Sequence, residues 1–126
     1  MAKVHFFYST MNAGKSTALL QSAHNYHETG NETILFIPRE DAEKNSGLIK
    51  SRIGLKASAV VIDSKIKIFD YVKNEVAKKS IDAILIDEAQ FLKKHQVLEI
   101  CKICDQLEIP VMCYGIRTDF RGELFE

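Results

Sequence analysis

The chain has 126 residues, 46% hydrophobic and 27% charged, which are the proportions of an ordinary globular protein and the length of one domain. Its 17 basic and 17 acidic side chains cancel, so no bulk field draws it to nucleic acid or an anionic membrane, and any anion site must be local. Nothing approaches the roughly 18 apolar residues of a membrane helix, the N-terminus does not read as a signal peptide, and three cysteines without a disulfide framework point to free thiols in the cytoplasm.

The elements run in order along the chain. VHFFYS (4–9) reads as a buried strand, and KSTALLQSAHNYHE after Gly14 as a helix that ends near Gly30. TILFIP (33–38) is a second buried strand, stopped by Pro38. The polar stretch 39–58 reads as one long loop, of a length that is often functional. AVVID (59–63) is a short strand, and Ile66, Phe69, Val72 and Val76 recur at helical spacing. IDAILID (81–87) is a strong buried strand. Residues 93–107 predict a helix with Val97, Leu98, Cys101, Cys104 and Leu107 on one face, and PVMCYGI (110–116) is a further strand before a polar, aromatic tail. Continuous apolar strands alternating with helices fit one α/β domain over 1–126, a mostly parallel sheet covered on both faces in three layers. Ligands of such sheets bind beyond the carboxyl ends of the strands. The loop at 9–16, the acidic pair at 87–88 and the tail from 116 all come after strands, and could share that edge.

The stretch MNAGKST (11–17) ends as a phosphate-binding loop does. Such a loop needs inward-facing backbone N–H groups, a helix N-terminus behind them, a lysine for the outer phosphates and a hydroxyl for Mg²⁺. Gly14, Lys15 and Ser16 supply the end of that pattern, but Ser9 stands where its first glycine belongs. The competing reading is an ordinary helix start capped near Ser16 or Thr17. The second motif is Asp87-Glu88 at the end of a buried apolar strand. A carboxylate there can hold Mg²⁺ directly or through water, and a second one beside it can serve as base for an attacking hydroxyl. Alone, it also reads as a solvated acidic turn before the next helix. Both motifs in order, each after a strand, favour a nucleotide-binding phosphate-loop protein.

Other candidates are weaker. Cys101 and Cys104 have zinc-ligand spacing without a second pair, and read as core residues of an amphipathic helix; Cys113 stands alone. His5, His24, His27 and His95 form no cluster, and the lysines at 44, 50, 56, 65 and 67 are dispersed. Arg117 and Arg121 come after the last strand, where they could contact phosphate or pair with Asp119 or Glu123. A RecA-like ATPase acting on nucleic acid fits poorly, because no basic stripe interleaves with aromatics.

STMNAGKSTALLQSAHNY, SRIGL (51–55), IDEAQF (86–91) and IPVMCYGIRTDFRGELF (109–125) together resemble a bacterial thymidine kinase of the type II class, over nearly the whole chain. The Ser9 departure is shared by bacterial members. The resemblance implies a RecA-like phosphate-loop fold and transfer of the γ-phosphate of ATP, with Mg²⁺, to the 5′-hydroxyl of thymidine or deoxyuridine. It implies an ATP site of Ser9, Thr10, Met11, Asn12, Ala13, Gly14, Lys15, Ser16 and Thr17 with Asp87, Glu88, Ala89 and Gln90. In it Lys15 binds the β- and γ-phosphates, Ser16 and Asp87 hold Mg²⁺, and Glu88 is the catalytic base. Met11, Phe91, Ile116 and Phe120 border the thymidine. It further implies dTTP as a feedback inhibitor, a homotetramer, a cytoplasmic location, and neither nucleic-acid nor membrane partners.

Two departures qualify this. In the loop after the second strand the family carries an Asp and then an Arg; here Asp41 is followed by Glu43, whose charge would repel phosphate. The family also continues past RGELF with a cysteine zinc site and a lasso over the nucleoside, which this chain, ending at Glu126, would lack. Losing several lid hydrogen bonds at about 1 kcal/mol each weakens nucleoside binding by orders of magnitude. The expectation is therefore a kinase with weak or lost activity, or a binder of ATP or dTTP without turnover.

Overall fold

The computed structural model describes residues 2–9, 15–38, 48–50, 56–62 and 66–116. Five strands form one sheet: β1 (Val4–Ser9), β2 (Thr33–Pro38), β5 (Val60–Ile62), β6 (Ala83–Ile86) and β7 (Val111–Ile116). Their spatial order is β1-β7-β6-β2-β5, and every pairing is parallel. Parallel neighbours need crossovers, and three helices lie between strands in sequence: α1 (Lys15–Glu28), α2 (Ile68–Lys78) and α3 (Lys94–Lys102).

The strand side chains divide by parity, as a pleated strand requires. Ile34, Phe36, Ile84, Ile86, Val111 and Cys113 face one core, into which α2 sends Ile68, Phe69 and Val72 and the α3 region sends Ile100, Ile103 and Cys104. Leu35, Ile37, Ala83, Leu85 and Tyr114 face the other, closed by Leu19 and Leu20 of α1. The result is the three-layer αβα arrangement expected, with β6 buried at all four positions. At about 1.5–3 kcal/mol for each large apolar side chain removed from water, these two cores dominate the folding energy. Among the described residues no helix is long and apolar enough to cross a membrane.

Two local expectations need correction. The stretch 39–58 is not a plain loop: β3 (Leu48–Lys50) and β4 (Lys56–Ser58) pair antiparallel as a small second sheet. Each strand is only three residues long, too short for a period-two pattern to stand out from polar neighbours. The α3 region is also rotated from its predicted face. Leu98 is 62% exposed and Cys101 lies at the surface, while Gln96, Ile100, Ile103 and Cys104 are buried. Gln96, Ile100, Ile103 and Cys104 still recur at helical spacing, so the buried stripe is turned toward Ile100 and Ile103, two apolar residues that the predicted face left out, and this shift precedes the π-helical turn Ile103–Leu107. The core reading therefore holds for Cys104 and fails for Cys101.

Candidate active site

Parallel pairing decides where the carboxyl ends of the strands lie. Ser9 pairs with Ile116 and Ile86 with Cys113, so β1, β6 and β7 finish on the same edge of the sheet. The next described element after β1 is α1, which starts at Lys15. The N-terminus of α1 thus comes directly after β1, and its macrodipole favours negative charge. The helix is fixed from behind by buried Leu19 and Leu20, and by a 3.1 Å bond between the Ser22 hydroxyl and that of Tyr114 on β7.

The best-described part of the site is the turn after β6. Asp87 is 1% exposed. Its N–H donates to the Phe36 carbonyl of β2 at 2.9 Å, extending the ladder by one residue, and its Oδ1 accepts the Glu88 N–H at 2.9 Å. A carboxylate this deep is held in place by its own backbone neighbourhood, and it offers hard oxygen chemistry at a strand end.

Glu88 turns the chain. Its φ of 52° and ψ of 44° are left-handed, a conformation that costs a non-glycine residue roughly 1–2 kcal/mol. Such strain is typical of sites where a side chain must be aimed rather than merely packed. A short 3-10 turn, Ala89–Phe91, comes next, with the Phe91 N–H on the Glu88 carbonyl at 3.1 Å and the Leu92 N–H on the Ala89 carbonyl at 3.1 Å. Leu92 and Ala89 are buried and anchor the turn. The Gln90 side-chain amide donates to Glu88 Oε1 at 2.6 Å. Phe91 remains 49% exposed, an apolar ring beside the acidic turn.

Beneath the turn, Cys113 pairs with Ile86, and burial pushes its thiol well above the ordinary value, with the neighbouring thiols Cys104 and Cys101 adding to the effect. It stays protonated and inert, so among the described residues of this turn the ionisable groups offered to a ligand are the carboxyls. Among the described residues no group of three or more His, Cys, Asp and Glu is assembled for a metal. Among the described residues, the Asp87 carboxylate offers the hard oxygen donors that suit a Mg²⁺ keeping most of its waters.

The structure brings Asp87, Glu88, Ala89, Gln90 and Phe91 into one turn. Ser9, Lys15, Ser16, Thr17 and Ile116 are placed by their backbone at strand ends and helix start. Thr10, Met11, Asn12, Ala13, Gly14 and Phe120 lie outside the described residues, as do Asp41, Glu43, Arg117, Asp119, Arg121 and Glu123. All four histidines are exposed. Sequence reasoning missed Gly115: a Cβ there would sit 2.9 Å from Gln90 Oε1 and 3.3 Å from the Gln90 nitrogen. Its only sequence signal was a glycine inside a strand, a mark of close backbone approach.

Fold and site together define a three-layer parallel α/β protein with paired carboxyls at the sheet edge where a helix start also lies. Comparison with protein-family models matches residues 2–126 to "Thymidine kinase". The chain is 52% identical over 126 residues to a thymidine kinase of Zymomonas mobilis, and 49% identical over 125 residues to one of Escherichia coli K12. A thymidine kinase of Xanthomonas campestris is 49% identical over 127 residues. This chain therefore belongs to the thymidine kinase family. It is covered at 99–100% in these matches and spans 61–65% of the length of those relatives.

Proposed function

We propose that this chain carries the phosphate-handling core of an ATP-dependent thymidine kinase, which phosphorylates the 5′-hydroxyl of thymidine, and of deoxyuridine, to the monophosphate. The observation that carries the proposal is the buried Asp87 beside the strained, part-buried Glu88, on the sheet edge where β1 also ends, in a chain of this family.

Each residue has a distinct task. The backbone from Ser9 through Thr17 cradles the phosphates, and Lys15 holds the outer two. Ser16 and Asp87 would hold Mg²⁺, which when bound neutralises charge on the phosphates. Glu88 accepts the proton of the 5′-hydroxyl as that oxygen attacks, a role worth about 10²–10⁴-fold in rate. Ala89 and Gln90 border the ATP. Met11, Phe91, Ile116 and Phe120 supply apolar surface for the thymine ring and its methyl group. In the same reading dTTP is a feedback inhibitor, the assembly is a homotetramer, and the location is the cytoplasm, where three free thiols are at home.

The test is thymidine phosphorylation by Mg-ATP, measured with radiolabelled nucleoside on the purified chain, with Glu88→Gln and Lys15→Ala as controls. Product that vanishes in Glu88→Gln, with ATP binding retained, supports the proposal. ATP binding without product reduces the chain to a nucleotide binder. Undiminished ATP binding in Lys15→Ala would sink the phosphate-loop assignment.

A further inference from the structure

Gln90 stands between two neighbours. Its amide nitrogen donates to Glu88 Oε1 at 2.6 Å, a charge-assisted contact at the short end of the range. Its amide oxygen faces the β7 backbone, so near that a Cβ on Gly115 would lie only 2.9 Å away. Such a Cβ would also lie 3.3 Å from the backbone nitrogen of Gln90 and 3.6 Å from the backbone nitrogen of Ala89. Gly115 is buried and sits one residue before the end of β7. The side-chain amide is thus held between a glycine face of one strand and the carboxylate at the tip of the next.

We propose that Gln90 is a positioning residue for the Glu88 carboxylate, and that Gly115 is glycine so that the Gln90 amide can reach it. The proposal deepens the kinase reading and rests on it for its catalytic consequence. Glu88 needs such a hold. Its left-handed backbone sets the direction of its Cα–Cβ bond, but the carboxyl has further torsions to lose. A base must sit within hydrogen-bond reach of the proton it takes, and a small misplacement at a reacting centre costs rate steeply. The amide restricts those torsions from outside. Gly115 meets the Gln90 amide, so a change near the end of β7 reaches the base through the Gln90 side chain.

This arrangement makes an unusual demand on a substitution. In Gly115→Ala the closest conflict, at 2.9 Å, is with the far end of a flexible side chain, and the Gln90 backbone nitrogen at 3.3 Å need give by only a few tenths of an ångström, so the chain should fold with the Gln90 amide displaced. Three variants test the proposal: Gly115→Ala, Gln90→Met, which keeps bulk without the donor, and their double. In the nitrogen–proton spectrum of the labelled chain, the wild-type Gln90 side-chain amide carries one downfield, hydrogen-bonded proton. Gly115→Ala returns it toward the free-amide position while backbone resonances remote from the site stay put. In the phosphorylation assay each single variant lowers kcat about tenfold, leaves the thymidine KM within about twofold, and combines with the other without further loss.

An unmoved Gln90 amide in Gly115→Ala, or additive kinetic losses, would overturn the coupling. Wild-type rates in Gln90→Met would show that packing rather than the donated bond is what matters, and would overturn the positioning role. If the wild-type chain turns nothing over, the kinase reading of this chain fails. The amide spectrum then still decides whether Gly115 controls the Gln90–Glu88 contact.

Discussion

Two glutamates in this protein adopt nearly the same left-handed backbone, Glu88 with φ 52° and Glu108 with φ 55°. Both sit outside regular structure, and both carry the same steric cost from their Cβ. Their surroundings differ. Glu108 ends the π-helical turn Ile103–Leu107 at the amino end of β7, and its side chain is exposed. There the conformation stops a helix and redirects the chain, a task for which glycine is the common choice. Glu88 lies at the carboxyl end of β6, directly after a buried carboxylate, and is held by the Gln90 amide at 2.6 Å. The same backbone conformation thus serves a helix stop at one end of the sheet and an aimed carboxylate at the other. Strain alone does not mark a site. Strain with a partnered acidic side chain at the ligand-binding edge of a parallel sheet does.

The sharpest way to break this contrast is catalytic. Glu88→Gln is expected to lower thymidine phosphorylation by about 10²–10⁴-fold, while Glu108→Gln leaves it unchanged. Equal effects in steady-state assays of the two would erase the distinction. The next effect is on stability. Ile86, fully buried beneath the acidic turn, should cost about 2–5 kcal/mol when changed to Ala. Leu107, only partly buried before Glu108, should cost less in the same denaturant titration.

A smaller effect is in pH. Burial raises the Cys113 thiol from its ordinary value of 9.0, and burial likewise raises Cys104. A raised folded-state value means that the native state keeps a proton which the unfolded chain gives up. The contribution is therefore complete below pH 9 and is lost as pH rises above it. For Cys113 the slope approaches about 1.4 kcal/mol per pH unit, and Cys104 adds to it in the same direction. Chemical denaturation between pH 8 and pH 10 should show the decline, and Cys113→Ala should flatten it; a decline unchanged in that variant would refute the assignment.

The smallest effect returns to the two glutamates. Relief of the left-handed cost of about 1–2 kcal/mol, less the extra chain entropy of glycine at about 0.5–1 kcal/mol, leaves Glu108→Gly more stable by roughly 0.5–1 kcal/mol. Glu88→Gly gains less, because it also gives up the bond to Gln90. Thermal melts of the pair check the order, and a destabilised Glu108→Gly would show that its side chain does more than cap.

The sheet strands were legible in sequence as short apolar runs bounded by polar or turn residues, and TILFIP and IDAILID are buried as read; VHFFYS is a strand but not the buried one expected, because β1 lies at the edge of the sheet and leaves Phe6, Phe7 and Tyr8 exposed. The helix over 15–28 was bounded by Gly14 and Gly30, and Gly30 indeed turns with φ 81°. The hairpin of β3 and β4 was not legible, because three-residue strands carry too little pattern. The buried face of the α3 region was misplaced because apolar residues at 97, 98, 100, 101, 103 and 104 lie nearly all round the helix, so more than one stripe of 3.6-residue period passes through them. At the site, Asp87 and Glu88 were legible by chemistry and position. Gln90 was legible only as a residue bordering ATP, and Gly115 only as a strand residue.

Residue type and order by themselves determined the alternation of strands and helices, the parallel sheet, the carboxylate pair and membership of a thymidine-kinase-like pattern. These depend on local apolar runs and on motifs that neighbours along the chain complete. Tertiary structure alone decided that β7 lies between β1 and β6, that the ends of these strands share one edge, and that a backbone glycine of β7 meets the amide of Gln90. Those facts depend on which strands pair and in what register. Pairing is a contest among distant segments for the same buried surface, and no local stretch of sequence contains its outcome.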